Sequence, residues 1–431
     1  MQVAGAIRNR LPAICIDVTS GNGPYSGTTS RSLLEISLRY PVSEVSHPSL
    51  VYLKCGFQES IMETESHSTF LLEFHTEKNK FSSPDELIAP IKELLEKDIG
   101  EVKEVYRRCS DESVNVILDC DMKSIVTLQL KSSGLVLMNI DIDGQHSSTF
   151  NQELAKKFET DVKGKLAAVA SKSICPIKRG GPLDRFRYLT SSDERLLEYD
   201  VDHVVADVRS PFQHIQILHT INFGNLLVLD DLQNLAESDL VYTETLIQRG
   251  KIDYTGKNIL ILGAGDGALL WELLKEGPNM VTMVEIDETV MKLCSQHLRS
   301  ACGSALDSTT GPHHQIIVGD CLTELDKLKS QSVLFDFVFS DLTDIPLSIK
   351  PQNKEWQFLL DVMEKSLSVL KPDGQFLTHG SGVSSVQSLA DFESHLNNLE
   401  PPVEFKRCQA FVPSFMEDWV FYQVSKTPNN K

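Results

Sequence analysis

The sequence predicts an α/β protein: a doubly wound parallel sheet in its second half, a small antiparallel β-sheet before it, and an α+β domain further upstream. Three observations carry this. From residue 257, apolar runs that lack alternation follow one another with helical segments between most of them, as expected for strands covered on both faces. The first of these runs leads into a glycine turn, "LILGAGDGALL" (260–270), which reads as strand, turn and helix start. Between 174 and 232, short apolar segments flank a turn signal, "NFGN", the pattern of a small antiparallel sheet.

Residues 1–62 carry Gly, Ser, Pro and Thr clusters without a sustained period, and are expected to form a partly disordered extension. An α+β domain is expected over 63–145. In it "STFLLEF" (68–74), "SVNVILDC" (113–120), "SIVTLQLK" (124–131) and "LVLMNIDI" (135–142) read as strands. "SPDELIAPIKELLEK" (83–97) reads as a helix, with Ser83 as N-cap, Pro84 at the first helical position and Glu86 closing a capping box; Pro90 is a candidate kink. Residues 146–173 read as a polar, partly helical connector. A small β domain follows over 174–240, from "RLLEYD", "HIQILHT" and "NLLVLDD". The remainder, 241–426, is the Rossmann-like domain. Its parallel strands are "NILILG" (258–263), "VTMVEID" (281–287), "HQIIVGD" (314–320), "FDFVFSD" (335–341) and "GQFLTHG" (374–380), and "FKRCQAFVP" and "DWVFYQV" form a final hairpin at one sheet edge.

Bulk composition narrows the function. With 60 Asp+Glu against 41 Lys+Arg the net charge is −19, which argues against a phosphate-backbone partner and mildly favours cationic ligands, though on net charge alone a solvated acidic surface is the commoner reading. No apolar run is long enough for a membrane span. Nine scattered cysteines, with no C-x-x-C pair, give neither zinc-ligand spacing nor a disulfide framework, so reduced thiols in a cytoplasmic protein are expected.

The glycine loop asks which nucleotide it serves. Gly263, Gly265 and Ala268 formally meet the dinucleotide fingerprint, and Glu285 follows where such folds hold a ribose. Asp266 sits among the glycines, however. A helix N-terminus favours an anion by roughly 0.3–2 kcal/mol. A carboxylate about 4 Å from a phosphate costs roughly 4 kcal/mol at an effective dielectric near 20. If Asp266 faces the ligand, repulsion wins, and a ligand with a positive centre such as an adenosyl sulfonium is preferred. The bland alternative is that Asp266 faces solvent or caps the helix. Glu285, Asp320 and Asp341 also fall at or beside the C-terminal ends of parallel strands, where open α/β sheets bind ligands. Each has its own bland reading as a cap or turn residue. Together with Asp266 they describe a crevice built for several positive charges.

These segments, with "TMVEID", "VGDC", "FSDLTDIP", "NLAESDLVYTE" (234–244) and "RGGPLDR" (179–185), resemble the spermine synthases, members of the aminopropyltransferases. The resemblance covers about 174–424. It continues more weakly over 67–142, which is similar to that family's S-adenosylmethionine-decarboxylase-like domain, used for dimerisation. It implies an S-adenosylmethionine-dependent-transferase fold and a cytoplasmic homodimer. It also implies transfer of the aminopropyl group of decarboxylated S-adenosylmethionine, a co-substrate rather than a cofactor, to spermidine. No metal, nucleic acid or membrane is implied. Carried onto this chain, Gln213, Gly263, Gly265, Glu285, Asp320 and Cys321 would contact the donor, with Glu285 on the ribose hydroxyls and Asp320 and Cys321 against the adenine. Tyr242, Asp266 and Glu417 would hold the polyamine, with Asp418 competing for the role of Glu417. Phe415 replaces a tyrosine that is more usual there, and Ala264 and Ala268 stand where glycines are common. Asp341 would be the general base, taking a proton from an amine whose pKa, near 10 as for lysine, keeps it charged at neutral pH.

Other readings remain: a spermidine or thermospermine synthase, a methyltransferase, or a non-catalytic polyamine-binding protein. "DLT" and Thr243 stand where the resemblance leads one to expect "DSS" and a glutamine in a spermidine synthase.

Overall fold

The computed structural model describes residues 16–17, 37–38, 66–78, 83–146, 148–342 and 354–427. The chain divides into two compact units, Met1–Glu63 and Thr64–Lys431. In the first, Ile16–Asp17 pairs antiparallel with Ser37–Leu38, and the rest of the expectation for residues 1–62 lies outside the described residues. All that follows concerns the second unit.

Its upstream layer is a six-stranded antiparallel sheet, β1 (His67–His75), β2 (Val102–Cys109), β3 (Ser113–Cys120), β4 (Ser124–Lys131), β5 (Leu135–Asp143) and β6 (Ala170–Arg179), in the order β2-β3-β4-β5-β1-β6. Alternate residues of β1 point inward, so Phe70, Leu72 and Phe74 form one buried row. Helices α1 (Asp85–Ile99) and α2 (Gln152–Leu166) cover that row with Ile88, Ile91, Leu95, Phe158 and Val162.

Two expectations are corrected here. Pro84, not Ser83, occupies the N-cap of α1, and no side chain caps it; Ser83 supplies its carbonyl to the Glu86 amide at 3.3 Å. The stretch read as a polar, partly helical connector, 146–173, does hold a helix, but that helix packs into the core and is followed by the start of β6. Phe158, Val162 and Leu166 recur every fourth residue as an apolar stripe among lysines and glutamates, and Asn151 caps the helix by accepting from the Glu153 and Leu154 amides.

Next come a short pair, β7 (Tyr188–Thr190) with β8 (Leu196–Glu198), and a four-stranded antiparallel sheet of β9 (Val201–Arg209), β10 (His214–Thr220), β11 (Gly224–Leu229) and β12 (Leu232–Ala236) in sequential order. One face packs Leu218, Leu226 and Val228 on Phe186 and Tyr199. The other packs Ile215, Ile217 and Leu227 on Val290, Cys294 and Leu298 of the following domain.

After α3 (Leu240–Leu246) the doubly wound domain begins. Its strands are β13 (Asn258–Gly263), β14 (Met280–Glu285), β15 (His314–Val318), β16 (Phe335–Asp341), β17 (Leu370–Gly382), β18 (Val403–Val412) and β19 (Glu417–Lys426). They lie in the order β15-β14-β13-β16-β17-β19-β18, parallel except for the β18–β19 hairpin, which closes one side antiparallel to β17. Helices α4 (Ala268–Leu274), α5 (Glu288–His297), α6 (Arg299–Cys302), α7 (Cys321–Ser330), α8 (Lys354–Ser368) and α9 (Val386–Asn397) run between the strands, with buried apolar clusters on both sheet faces. The chain steps from β13 to β14 and β15 on one side and then crosses back to β16 on the other side of β13, which makes the carboxyl ends of β13 and β16 the switch point where such sheets open a crevice. No described helix is long and apolar enough to cross a membrane.

Candidate active site

The crevice is a cavity of about 240 Å³, lined from the strand ends by Gly263, Gly265, Asp266, Glu285, Asp320, Cys321 and Asp341. Backbone geometry explains the glycines. Gly263 has φ +82°, and a Cβ there would lie 2.4 Å from the Asp341 carbonyl oxygen. The same carbonyl accepts from the Ala264 amide at 2.8 Å, so the loop and the end of β16 are fastened together. Ala264 itself sits at φ +61°, a conformation that costs a residue with a side chain roughly 1–3 kcal/mol. At Gly265 a Cβ would lie 2.8 Å from Glu285 Oε2, so this glycine makes room for that carboxylate.

Each carboxylate is held differently. Asp266 Oδ1 accepts from the Ala268 amide at 2.7 Å at the start of α4, so the bland capping reading holds for one oxygen while the residue still lines the cavity. Glu285 is buried, and its Oε1 accepts from the Asp287 amide at 2.8 Å. Asp320 caps α7, accepting from the Thr323 amide at 2.9 Å and hydroxyl at 2.6 Å. Asp341 Oδ1 accepts from the Tyr242 hydroxyl at 2.7 Å, joining residues 99 apart in sequence.

Their titration follows from these surroundings. Burial raises the Asp266 carboxyl above the ordinary carboxylate range, and the charge of Asp341 raises it further. Burial likewise raises Asp341, opposed by His379 and the Tyr242 hydroxyl. Glu285 is raised by burial against the pull of the Asp287 and Ile286 amides. Asp320 goes the other way: burial is outweighed by the Thr323 hydroxyl and amide, which hold it below the usual range. Burial pushes the Cys321 thiol up to about 11, so at neutral pH it is a neutral, buried wall. Three neighbouring carboxyls biased toward the neutral form describe a site whose full ionisation calls for cations.

The second wall comes from other segments. Tyr242, on α3, is buried, with its ring edge-on to Phe415 at 6.0 Å and to Phe421 at 5.1 Å. Phe415 is edge-on to Trp419 at 4.6 Å, and both line the cavity. Asp239 fastens these pieces together. It is buried, accepts from the Ala236 amide at 2.7 Å and takes the Ser414 amide at 3.0 Å and hydroxyl at 2.5 Å. Its carboxyl is raised by burial in spite of those bonds. Gln213 enters from the loop between β9 and β10, and its Nε2 donates to Asp287 at 3.0 Å. Ser210 donates to the same Asp287 oxygen at 2.6 Å, and Asp287 Oδ1 caps α5 through the Thr289 amide at 3.0 Å.

Glu417 is placed differently from the other expected residues. It is buried but is not among the residues lining the cavity. Ser192 donates to its Oε1 at 3.0 Å, and Arg195 approaches its Oε2 at 3.5 Å without a hydrogen bond. Asp418, the competitor, is also absent from the lining and offers its backbone carbonyl to the Val383 amide at 2.9 Å. Of "FSDLTDIP", only the part through Leu342 lies within the described residues. Sequence reasoning missed His379, Trp419, Gln233 and Asn234 as lining residues and Asp287 as the anchor of Gln213. "DWVFYQV" and "GQFLTHG" signalled strands only; Asp287 closes the quoted "TMVEID", where a helix-capping aspartate was legible.

Comparison with known proteins bears on this constellation. The Spermine/spermidine synthase domain matches residues 239–431, and the Spermidine synthase tetramerisation domain matches 186–237. A polyamine aminopropyltransferase of Aeropyrum pernix is 31% identical over 231 residues, covering 52% of this chain and 70% of that protein. The chain belongs to the spermine/spermidine synthase family of aminopropyltransferases. A second member, from Sulfolobus acidocaldarius, is 30% identical over 53% of this chain and 74% of its own length. Thermospermine synthase ACAULIS5 of Arabidopsis thaliana is 27% identical over 55% of this chain and 68% of its own length. A solved spermidine synthase in complex with the transition-state analogue AdoDATO gives a TM-score of 0.47 at 19% identity, over 56% of this chain and 80% of that one. Both family matches begin downstream of the six-stranded layer.

Proposed function

We propose that this aminopropyltransferase is a spermine synthase, moving the aminopropyl group of decarboxylated S-adenosylmethionine to spermidine and releasing spermine and methylthioadenosine. The observation that carries the reading is the ring of carboxylates, Asp266, Glu285, Asp320 and Asp341, around one cavity, with Asp341 fixed by Tyr242. Such a ring suits a sulfonium donor that carries an ammonium and a polyamine acceptor. It disfavours a methyl donor, whose tail carboxylate would meet Asp266. The donor's adenosine fits the strand-end wall, with Glu285 accepting from the ribose hydroxyls, Asp320 and Cys321 near the adenine, and Gln213 closing over it.

The chemistry is a direct displacement. The acceptor amine must lose a proton before its lone pair can attack. Asp341, raised by burial and steadied by Tyr242, takes that proton. The amine nitrogen bonds to the propyl carbon, the carbon–sulfur bond breaks, and its electron pair returns to sulfur, leaving a neutral thioether. Asp266 holds an ammonium beside the reacting centre. Positioning and fixed charge supply most of the acceleration. The matched tetramerisation domain favours an oligomer, and we assign the homodimer contact to the six-stranded layer.

Glu417 is the proposed reader of the acceptor's far ammonium, reached once an extended amine draws it away from Arg195. Product identification tests the whole reading. The purified protein is incubated with decarboxylated S-adenosylmethionine and either putrescine or spermidine. Spermine from spermidine, with putrescine a poor acceptor, is the expected result. Equal use of putrescine, or thermospermine as product, would overturn the spermine assignment while leaving the family intact.

A further inference from the structure

We propose that Asp202, His203 and His219 form a binding site for one divalent transition-metal cation, of the zinc type, at the exposed edge of the four-stranded sheet. The site lies away from the cavity, since none of the three lines it. It does not rest on the reaction proposed above.

The geometry comes from a bulge. β9 is the edge strand of its sheet. Its register pairs Val201 with Thr220 and His203 with His219, two steps along β9 against one along β10. Asp202 is therefore the extra residue. In a regular strand Asp202 and His203 would point to opposite faces. The bulge re-aims one of them, so both reach the same spot above the sheet. His219 arrives there from the neighbouring strand as the direct partner of His203. The two rings stack at 4.6 Å and 22°. Both Nδ1 atoms lie 2.7 Å from Asp202 Oδ1. The three donor atoms all fall within 4.8 Å of one another.

The donor set selects the ligand. Two imidazole nitrogens and one carboxylate oxygen suit zinc, copper(II), nickel(II) or cobalt(II); calcium and magnesium prefer oxygen throughout. Zinc takes His nitrogen at about 2.0–2.1 Å and carboxylate oxygen at about 2.0–2.2 Å. A tetrahedral arrangement at those lengths separates neighbouring donor atoms by about 3.4 Å. The 2.7 Å contacts here need to open by about 0.7 Å, within rotamer adjustment of three partly exposed side chains. Each imidazole would shift its proton to Nε2 and offer Nδ1 to the metal. A fourth position toward solvent is left for water. The other His–Asp pair on these strands, His214 with Asp207, offers one histidine only.

The full-length protein, stripped with chelator, is titrated with cobalt(II), and zinc is then used to displace it. Wild type is expected to bind one cobalt per chain with a tetrahedral visible spectrum that zinc abolishes. His203→Gln/His219→Gln should lose that spectrum and bind zinc at least tenfold more weakly. Asp202→Asn, which keeps volume, should weaken zinc binding in the same direction and guards against a double variant that fails to fold. Equal stoichiometry, spectrum and affinity in wild type and variants would overturn the site, because the ligands would then lie elsewhere. So would the absence of any tight cobalt binding in wild type.

Discussion

Replacing Asp341 by asparagine separates the proposed base from the architecture that holds it. The asparagine keeps the side-chain volume and an Oδ1 that can accept from the Tyr242 hydroxyl, now 2.7 Å from the carboxylate. The Ala264 amide still bonds the backbone carbonyl of residue 341 at 2.8 Å, so the loop stays fastened. What disappears is the proton acceptor. A general base contributes about 10²–10⁴-fold, or roughly 2.7–5.4 kcal/mol at 1.36 kcal/mol per tenfold. The loss should fall on turnover at saturating substrate, read by quantifying methylthioadenosine release. Donor binding, assigned to Glu285 and Asp320, should be largely kept. The deficit should shrink as pH rises toward the amine's own pKa, near 10 for an alkylamine, because free amine then forms without help. Near-normal turnover of Asp341→Asn at neutral pH would refute the assignment, and Asp266 would become the better base.

Further outcomes are expected. Asp266→Asn should stabilise the ligand-free protein at neutral pH by roughly 0.5–2 kcal/mol, the range typical of substitutions that relieve a strained site, while weakening polyamine binding. The sign follows from the raised Asp266 carboxyl: the folded state binds its proton more tightly than the unfolded chain does. The wild type is therefore relatively stable in acid and loses that stability as pH rises through the raised value. Thermal melts at several pH values should show the variant's advantage fading on acidification; a constant or inverted gap would sink the idea. Glu285→Gln should weaken methylthioadenosine binding by about 10–150-fold, from 1.5–3 kcal/mol for a charged hydrogen bond, which calorimetry would read. Gly263→Ala would push a Cβ to within 2.4 Å of the Asp341 carbonyl at φ +82°, so denaturant melts should show a loss of roughly 1–3 kcal/mol; an unchanged midpoint would contradict it. A chain beginning at Gly180, just past β6, should lose the dimer contact and run as a smaller species on sizing; unaltered assembly would place that contact elsewhere.

The parallel strands and the glycine loop were legible because β13, β14 and β16 are buried on both faces and read as unbroken apolar runs. Several antiparallel strands were not. β2 is an edge strand whose VKEVYRRC exposes most of its residues, and a register shift breaks its alternation. β6 is largely exposed, and β9 carries two register shifts that scramble its period. The carboxylates could be placed from sequence because strand ends mark where they gather. Tyr242 meeting Asp341, Asp287 holding Gln213 and the packing of Phe415 on Trp419 are products of tertiary folding, and no local pattern announces them. Glu417 shows the converse: its position in the motif suggested the cavity, yet Ser192 and Arg195, from a distant turn, hold it aside.

The Asp239–Ser414 clamp has a consequence for anyone wishing to redirect this enzyme to another amine. It joins chain segments 175 residues apart, one bearing Tyr242 and the other Phe415 and Trp419. A graft that exchanges only one of them leaves a buried carboxylate short of its donors, a penalty of about 1–3 kcal/mol or more before any specificity is gained. The two segments have to be transplanted as a pair, clamp included, whereas the nucleotide half can stay as it is. On the proposed reading, acceptor choice in this chain is thus a module with two sequence addresses and one lock.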